Sequence, residues 1–72
     1  MRYFEYLVRT KFKTVRAFCR ESGLDQSNVY SYMSGRRFPS VPTFMQFTEL
    51  FDISAENLWE NWYGEYSIDG KK

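Results

Sequence analysis

A single glycine between two short amphipathic segments most constrains how this chain can fold. Gly23 follows a segment in which Val15, Phe18 and Cys19 recur at helical spacing, and it precedes a second segment that opens at Asp25. Glycine adopts the left-handed conformation that ends many helices without steric cost, and aspartate is a favoured helix N-cap. The sequence therefore predicts two helices joined by a sharp turn at Gly23.

The second of these helices has two chemically different faces. Val29, Tyr32 and Met33 form an apolar stripe that is predicted to face the core. The outward positions are mostly polar and are Gln26, Ser27, Asn28, Tyr30 and Ser31. A helix pair with a short glycine-containing turn is typical of the helix-turn-helix motif, whose second helix enters the DNA major groove. We assign this motif to residues 14–35.

Apolar spacing and capping residues predict three further helices, which makes the fold all-α with five helices. The first covers about residues 2–10, where apolar side chains share one helical face. The fourth begins near Pro42, because proline suits the first turn of a helix. The fifth is capped by Ser54 and ended by Gly64. In this last helix Leu58 and one of the two tryptophans are expected to lie in the core.

The length and the aromatic content indicate one small, densely filled domain. The chain has 72 residues, including 7 Phe, 6 Tyr and 2 Trp. A domain of this size buries only about 60% of its unfolded surface, so large rings are an efficient way to build its core. Some rings should remain for a partner. We assign residues 1–64 to the domain and residues 65–72 to a C-terminal tail.

Charge is distributed unevenly along the chain. Residues 1–48 contain eight basic and three acidic side chains, whereas residues 49–72 contain two basic and six acidic ones. The first part is therefore net positive and the second net negative. This division suits a nucleic-acid-binding front with a non-binding rear, and it equally suits docking on a basic protein. A merely solvated surface is the third interpretation.

The residues give no support for catalysis, metal binding or membrane insertion. The chain has no histidine, and its single cysteine, Cys19, is interpreted as a small core residue. Structural zinc sites need about four Cys or His ligands, and the usual general bases and nucleophiles are absent. No apolar run approaches the roughly 20 residues of a membrane span, and the N-terminus lacks a signal-peptide layout. We expect a non-enzymatic cytoplasmic protein, without cofactor, metal or small-molecule substrate.

Over residues 14–59 the sequence resembles the lambda-repressor/Cro-type helix-turn-helix family of phage and bacterial regulators. The resemblance lies in the order and register of Thr14, Phe18, Cys19, Gly23, Leu24, Asp25, Val29, Tyr32, Gly35, Arg36, Arg37, Pro39, Phe44, Phe47, Leu50, Phe51, Ile53, Ser54 and Leu58. It implies a compact five-helix domain that regulates transcription. The short length, low net charge and aromatic ends are further similar to one subgroup, the modulator-of-repression proteins of lactococcal temperate phages. That similarity implies an antirepressor that acts with the phage repressor.

Departures from the family pattern concern DNA binding. Val15 stands where many members have a phosphate-contacting glutamine, and Met33 replaces a common glutamate. The outward face of the third helix has no Lys or Arg. Because phosphate contacts dominate the affinity for DNA, these departures argue against strong independent DNA binding.

Three sets of candidate site residues follow from the register and from the resemblance. Candidates for reading operator bases are Gln26, Ser27, Asn28, Tyr30 and Ser31. Candidates for phosphate or partner contacts are Thr14, Arg16, Ser34, Arg36 and Arg37. Aromatic candidates for a partner interface are Tyr3, Phe4, Tyr6, Trp62, Tyr63 and Tyr66. For Tyr6, Trp62 and Tyr66, core packing fits the pattern equally well.

Two regulatory functions fit these observations. The favoured one is an antirepressor in a lysis–lysogeny switch, which binds the DNA-binding domain of the phage repressor and leaves direct or joint operator contact open. The alternative is a Cro-like dimer that inserts its third helices into operator half-sites about 34 Å apart. A small helical scaffold or toxin-neutralising module is the third interpretation, because fold alone does not fix function.

Overall fold

The computed structural model describes residues 2–65, and all the regular secondary structure in them is helical. In chain order the helices are α1 (Tyr3–Lys11), α2 (Val15–Ser22), α3 (Gln26–Met33), α4 (Val41–Phe51) and α5 (Ala55–Leu58), which continues directly into a π-helical segment, Trp59–Tyr63. The predicted all-α, five-helix fold class is thereby confirmed. None of the described helices has the length and apolarity needed to span a membrane.

Local capping defines the unit formed by α2, the turn and α3. The Thr14 hydroxyl accepts a hydrogen bond from the N–H of Ala17 at 3.1 Å, and the Asp25 carboxylate accepts one from the N–H of Asn28 at 2.9 Å. Between the two helices Gly23 has φ 79° and ψ 6°, the left-handed conformation. Each of these features follows from a short-range rule, and each was predicted from the sequence.

The final helix does not end at Gly64, so that prediction was wrong. Gly64 has helical dihedral angles, φ −57° and ψ −46°, and helical structure continues to Glu65. Both carboxylate oxygens of Glu65 accept the backbone N–H of Tyr3, at 3.1 and 3.0 Å. This contact satisfies a free donor in the first turn of α1 and places a negative charge at the positive end of its dipole. The remaining tail residues, including Tyr66, lie outside the described part of the chain.

Replacing Gly23 and replacing Gly64 by alanine should change the free energy of unfolding in opposite directions. Gly23→Ala places a side chain at φ 79°, which costs about 1–2 kcal/mol for a non-glycine residue. Gly64→Ala lies in a helix with nothing within 4 Å of the added Cβ, and should stabilise by about 0.5–1 kcal/mol. Urea denaturation followed by circular dichroism measures both changes. A Gly23→Ala variant as stable as wild type would contradict the left-handed conformation at residue 23.

An aromatic cluster fills the interior, and Phe4 is at its centre. The Phe4 side chain is fully buried, and its ring lies 4.6 Å from Trp62, 5.4 Å from Phe47 and 5.6 Å from Phe18, measured between centroids. Such ring pairs contribute about 0.5–1.5 kcal/mol beyond the area that they bury. These contacts join α1, α2, α4 and the π-helical segment in a single core.

Two predicted partner-interface residues belong to this core. Phe4 is 0% exposed and Trp62 is 2% exposed, so neither is accessible to a partner in this fold. Trp62 shares its helix face with Leu58, which is also fully buried. The outer tryptophan is Trp59, which is 46% exposed. The sequence alone could not decide which of the two tryptophans is buried, because that depends on which face of the helix packs against the core.

Candidate functional site

The outward edge of α3 projects away from the core. Gln26 and Ser27 are exposed, Tyr30 is 53% exposed, and Asn28 and Ser31 are half-buried. The inner stripe of the same helix is buried and consists of Val29, Tyr32 and Met33. All five base-reading candidates therefore lie outside the buried stripe of α3.

A positive charge from the following loop lies against this edge. The Arg37 guanidinium donates a hydrogen bond from Nη1 to the Asn28 Oδ1 at 2.9 Å. Its central carbon lies 5.7 Å from the centroid of the Tyr32 ring, within cation–π range. The loop thus supplies a cation that the sequence of α3 lacks. Base reading by Asn28 would compete with this hydrogen bond.

The other phosphate or partner candidates have separate surroundings. The Thr14 hydroxyl caps α2, and Arg16 is exposed on that helix. Ser34 donates its hydroxyl to the carbonyl oxygen of Ser31 at 3.2 Å, and Arg36 is exposed beyond it. These groups lie on α2 and at the C-terminal end of α3 and in the loop after it.

A groove of about 350 Å³ lies between α1 and the C-terminal half of α3. Its lining consists of Glu5, Arg9, Tyr30, Ser31, Met33, Ser34 and Arg36. Glu5 and Arg9 form an ion pair at 2.8 Å on the α1 side, and both side chains are partly exposed. Exposed pairs four residues apart in a helix contribute only about 0.3–0.5 kcal/mol, so this wall is held mainly by helix packing.

A second surface is formed by the π-helical segment. Trp59 and Tyr63 are 46% and 37% exposed, and their rings stack at 4.3 Å between centroids with 16° between planes. Phe38 and Phe44 meet the Trp59 ring nearly at right angles, at 5.6 and 5.8 Å. We call the exposed Trp59 and Tyr63 rings the aromatic patch. Contacts with Phe38 and Phe44 fix its Trp59 ring against the domain.

Four exposed carboxylates lie in the chain segment from the end of α4 to the π-helical segment. The exposed acidic residues at the end of α4 and along α5 and the π-helical segment are Glu49, Asp52, Glu56 and Glu60. Within residues 2–65 none of them forms an ion pair. We call these four residues the acidic surface. It has no neutralising partner in the described part of the chain, so its negative charge is available to an external cation.

The two tyrosines of α1 differ in their role. The Tyr3 hydroxyl donates to the Asn57 Oδ1 at 3.0 Å and so connects α1 to α5. Burial raises the pKa of the Tyr3 hydroxyl above its ordinary value, and the nearby Tyr6 raises it further. Tyr6 is 51% exposed. Tyr3 therefore serves the fold, whereas Tyr6 remains accessible.

Cys19 is half-buried and packs against the core. Burial raises the pKa of its thiol, and the neighbouring Asp25 adds to that shift. A raised pKa keeps the residue as an unreactive thiol at neutral pH. This environment agrees with the interpretation of Cys19 as a small core residue.

Comparison with known proteins adds no identification to these surfaces. No protein-family model matches the chain, and no curated protein or solved structure is significantly similar to it.

Sequence reasoning did not select Trp59 as a surface residue, although the sequence contains a signal for it. Glu56, Trp59, Glu60 and Tyr63 recur at the spacing of one helical face. Two carboxylates on that face favour solvent, because ionised side chains are rarely buried without a partner. Leu58 and Trp62 then share the opposite, inward face.

Proposed function

We propose that this chain is a phage transcriptional regulator of a lysis–lysogeny switch that acts as an antirepressor. In this proposal it binds the DNA-binding domain of the phage repressor and prevents that domain from reaching its operator. The observation that carries the proposal is the acidic surface, whose carboxylates have no ion-pair partner within residues 2–65. The resemblance to helix-turn-helix regulators supplies the regulatory context.

Charge complementarity supports this choice of partner. A DNA-binding domain presents Lys and Arg to phosphates, and these contacts dominate its affinity for DNA. An acidic surface attracts such a domain, accelerates their encounter and disfavours wrong partners. The two partners would then compete for one basic face, so that binding of the antirepressor releases the operator.

The test is to mix the purified chain with the DNA-binding domain of the repressor from the same phage. Size-exclusion chromatography and calorimetry at low salt should reveal a complex that weakens as the salt concentration rises. Operator shift assays with each protein and with the mixture should show that the mixture binds less operator than the repressor domain alone. Independent elution of the two proteins at low salt would contradict the proposal.

A second candidate function is Cro-like binding of operator DNA through α3. It is favoured by the exposed Gln26 and Ser27 and by the Arg37 cation, which is hydrogen-bonded to Asn28 on the same helix. Gln can pair with adenine in the major groove, and Arg can contact phosphate. This function predicts a steeply salt-dependent operator shift by the chain alone. Loss of that shift in Gln26→Ala, with unchanged folding, would support it.

A further inference from the structure

We propose that the aromatic patch is an arginine-binding surface, on which Trp59 receives a guanidinium group of the protein partner and Glu56 and Glu60 accept its N–H groups. This inference deepens the proposed function and rests on it for the identity of the partner. The binding chemistry itself can be tested separately, because a short arginine peptide presents the same group.

The tryptophan is held in place before any partner arrives. Tyr63 stacks on it at 4.3 Å, and Phe38 and Phe44 pack against it, yet 46% of its surface stays exposed. A ring that is already ordered loses little conformational freedom on binding. Rigid, exposed tryptophan is also among the commonest residues to dominate the energy of an interface.

The neighbouring charges select a cation. Glu56 precedes Trp59 by three positions and Glu60 follows it directly, and both are exposed without an ion-pair partner in residues 2–65. A guanidinium is planar, stacks on aromatic rings and donates in a fork that matches a carboxylate. A lysine ammonium carries the same charge but cannot stack in this way. This combination of an exposed ring and unpaired carboxylates therefore favours arginine over lysine.

The same charges disfavour other occupants. In a two-fold symmetric dimer formed through the patch, a second copy of the chain would bring its own Glu56 and Glu60 against those of the first, and opposed like charges are unfavourable in an interface. Nucleic acid would bring phosphates against the carboxylates. A basic protein surface meets neither obstacle.

The first experiment uses the ¹⁵N-labelled chain and the peptide acetyl-Gly-Arg-Gly-Arg-Gly-amide. The chain has 2 Trp residues, so two indole N–H signals report the exposed and the buried ring separately. The arginine peptide should shift the Trp59 signal saturably and leave the Trp62 signal in place, and the lysine analogue should bind several-fold more weakly. Glu56→Gln with Glu60→Gln should weaken arginine binding about tenfold, whereas Glu21→Gln on α2 should not. An unshifted Trp59 signal, or equal binding of both peptides, would overturn the proposal.

The second experiment uses the repressor DNA-binding domain and calorimetry. Trp59→Leu should bind it at least about tenfold more weakly than wild type, whereas Met45→Ala, which truncates a similarly exposed apolar side chain on α4, should retain wild-type affinity. If wild type binds the arginine peptide but not the repressor domain, the antirepressor function fails and the arginine surface stands. If Trp59→Leu binds the repressor domain as well as wild type does, the arginine surface is wrong and the antirepressor function stands.

Discussion

Alanine at Trp62 should lower the free energy of unfolding by about 3–5 kcal/mol, whereas alanine at Trp59 should lower it by about 1–2 kcal/mol. Trp62 is 2% exposed, and its ring lies 4.6 Å from Phe4 and 4.8 Å from Phe38. Its removal leaves a cavity among rings that cannot easily close it. Because small domains are stable by only about 5–15 kcal/mol, this one substitution should remove a large fraction of the total stability.

The Trp59→Ala variant is the matched control, since it removes the same side chain from the same helical segment. Urea denaturation followed by far-ultraviolet circular dichroism gives both free energies. Similar losses in the two variants would mean that both rings support the core, and the aromatic patch would then not be an independent surface.

Reversing two charges beside the patch should have the largest effect on association. Glu56→Lys combined with Glu60→Lys replaces two exposed, unpaired carboxylates by ammonium groups. Electrostatic steering changes association rates by about 10–1000-fold, so this variant should associate with the repressor DNA-binding domain at least tenfold more slowly at low salt. Stopped-flow measurement of the association rate tests this expectation.

Glu21→Lys provides the control, because Glu21 is exposed on α2, outside the acidic surface. It should change the rate much less than the double variant does. The difference between the two variants should shrink at high salt, since screening shortens the range of charge interactions. The double variant changes twice as much charge as Glu21→Lys, so a slowing only twice as large on a logarithmic scale would show that only net charge matters, and that the acidic surface has no special position in the encounter.

The elements that could be predicted from the sequence depend on local rules. The left-handed Gly23 and the caps at Thr14 and Asp25 involve residues at most three positions apart, and all three are present. Periodicity likewise identified the buried stripe of α3. The five-helix fold class followed because each helix has its own apolar face and its own end signals.

The errors concern features that depend on tertiary structure. Gly64 is a common helix stop, but here the helix continues to Glu65, whose carboxylate accepts the N–H of Tyr3. A contact between residues 62 positions apart leaves no local signal. The hydrogen bond from Arg37 to Asn28 likewise has no local signal, because it requires the loop after α3 to fold back onto that helix.

The two tryptophans cannot be told apart by residue type. In the sequence, only the charged neighbours of Trp59 indicate that it lies on the outward helix face and that Trp62 lies on the inward one. That the polar residues of α3 lie outside the core could be predicted from the sequence. The aromatic patch required the structure, since it depends on how Phe38 and Phe44 support Trp59.

The most direct test of the antirepressor proposal is the fluorescence anisotropy of a labelled operator. The operator is first saturated with the repressor DNA-binding domain, and the chain is then added in increasing amounts. The proposal predicts that the anisotropy falls to the value of free operator as the repressor domain is captured. An anisotropy that stays at the repressor-bound value, even in large excess of the chain at low salt, would contradict it.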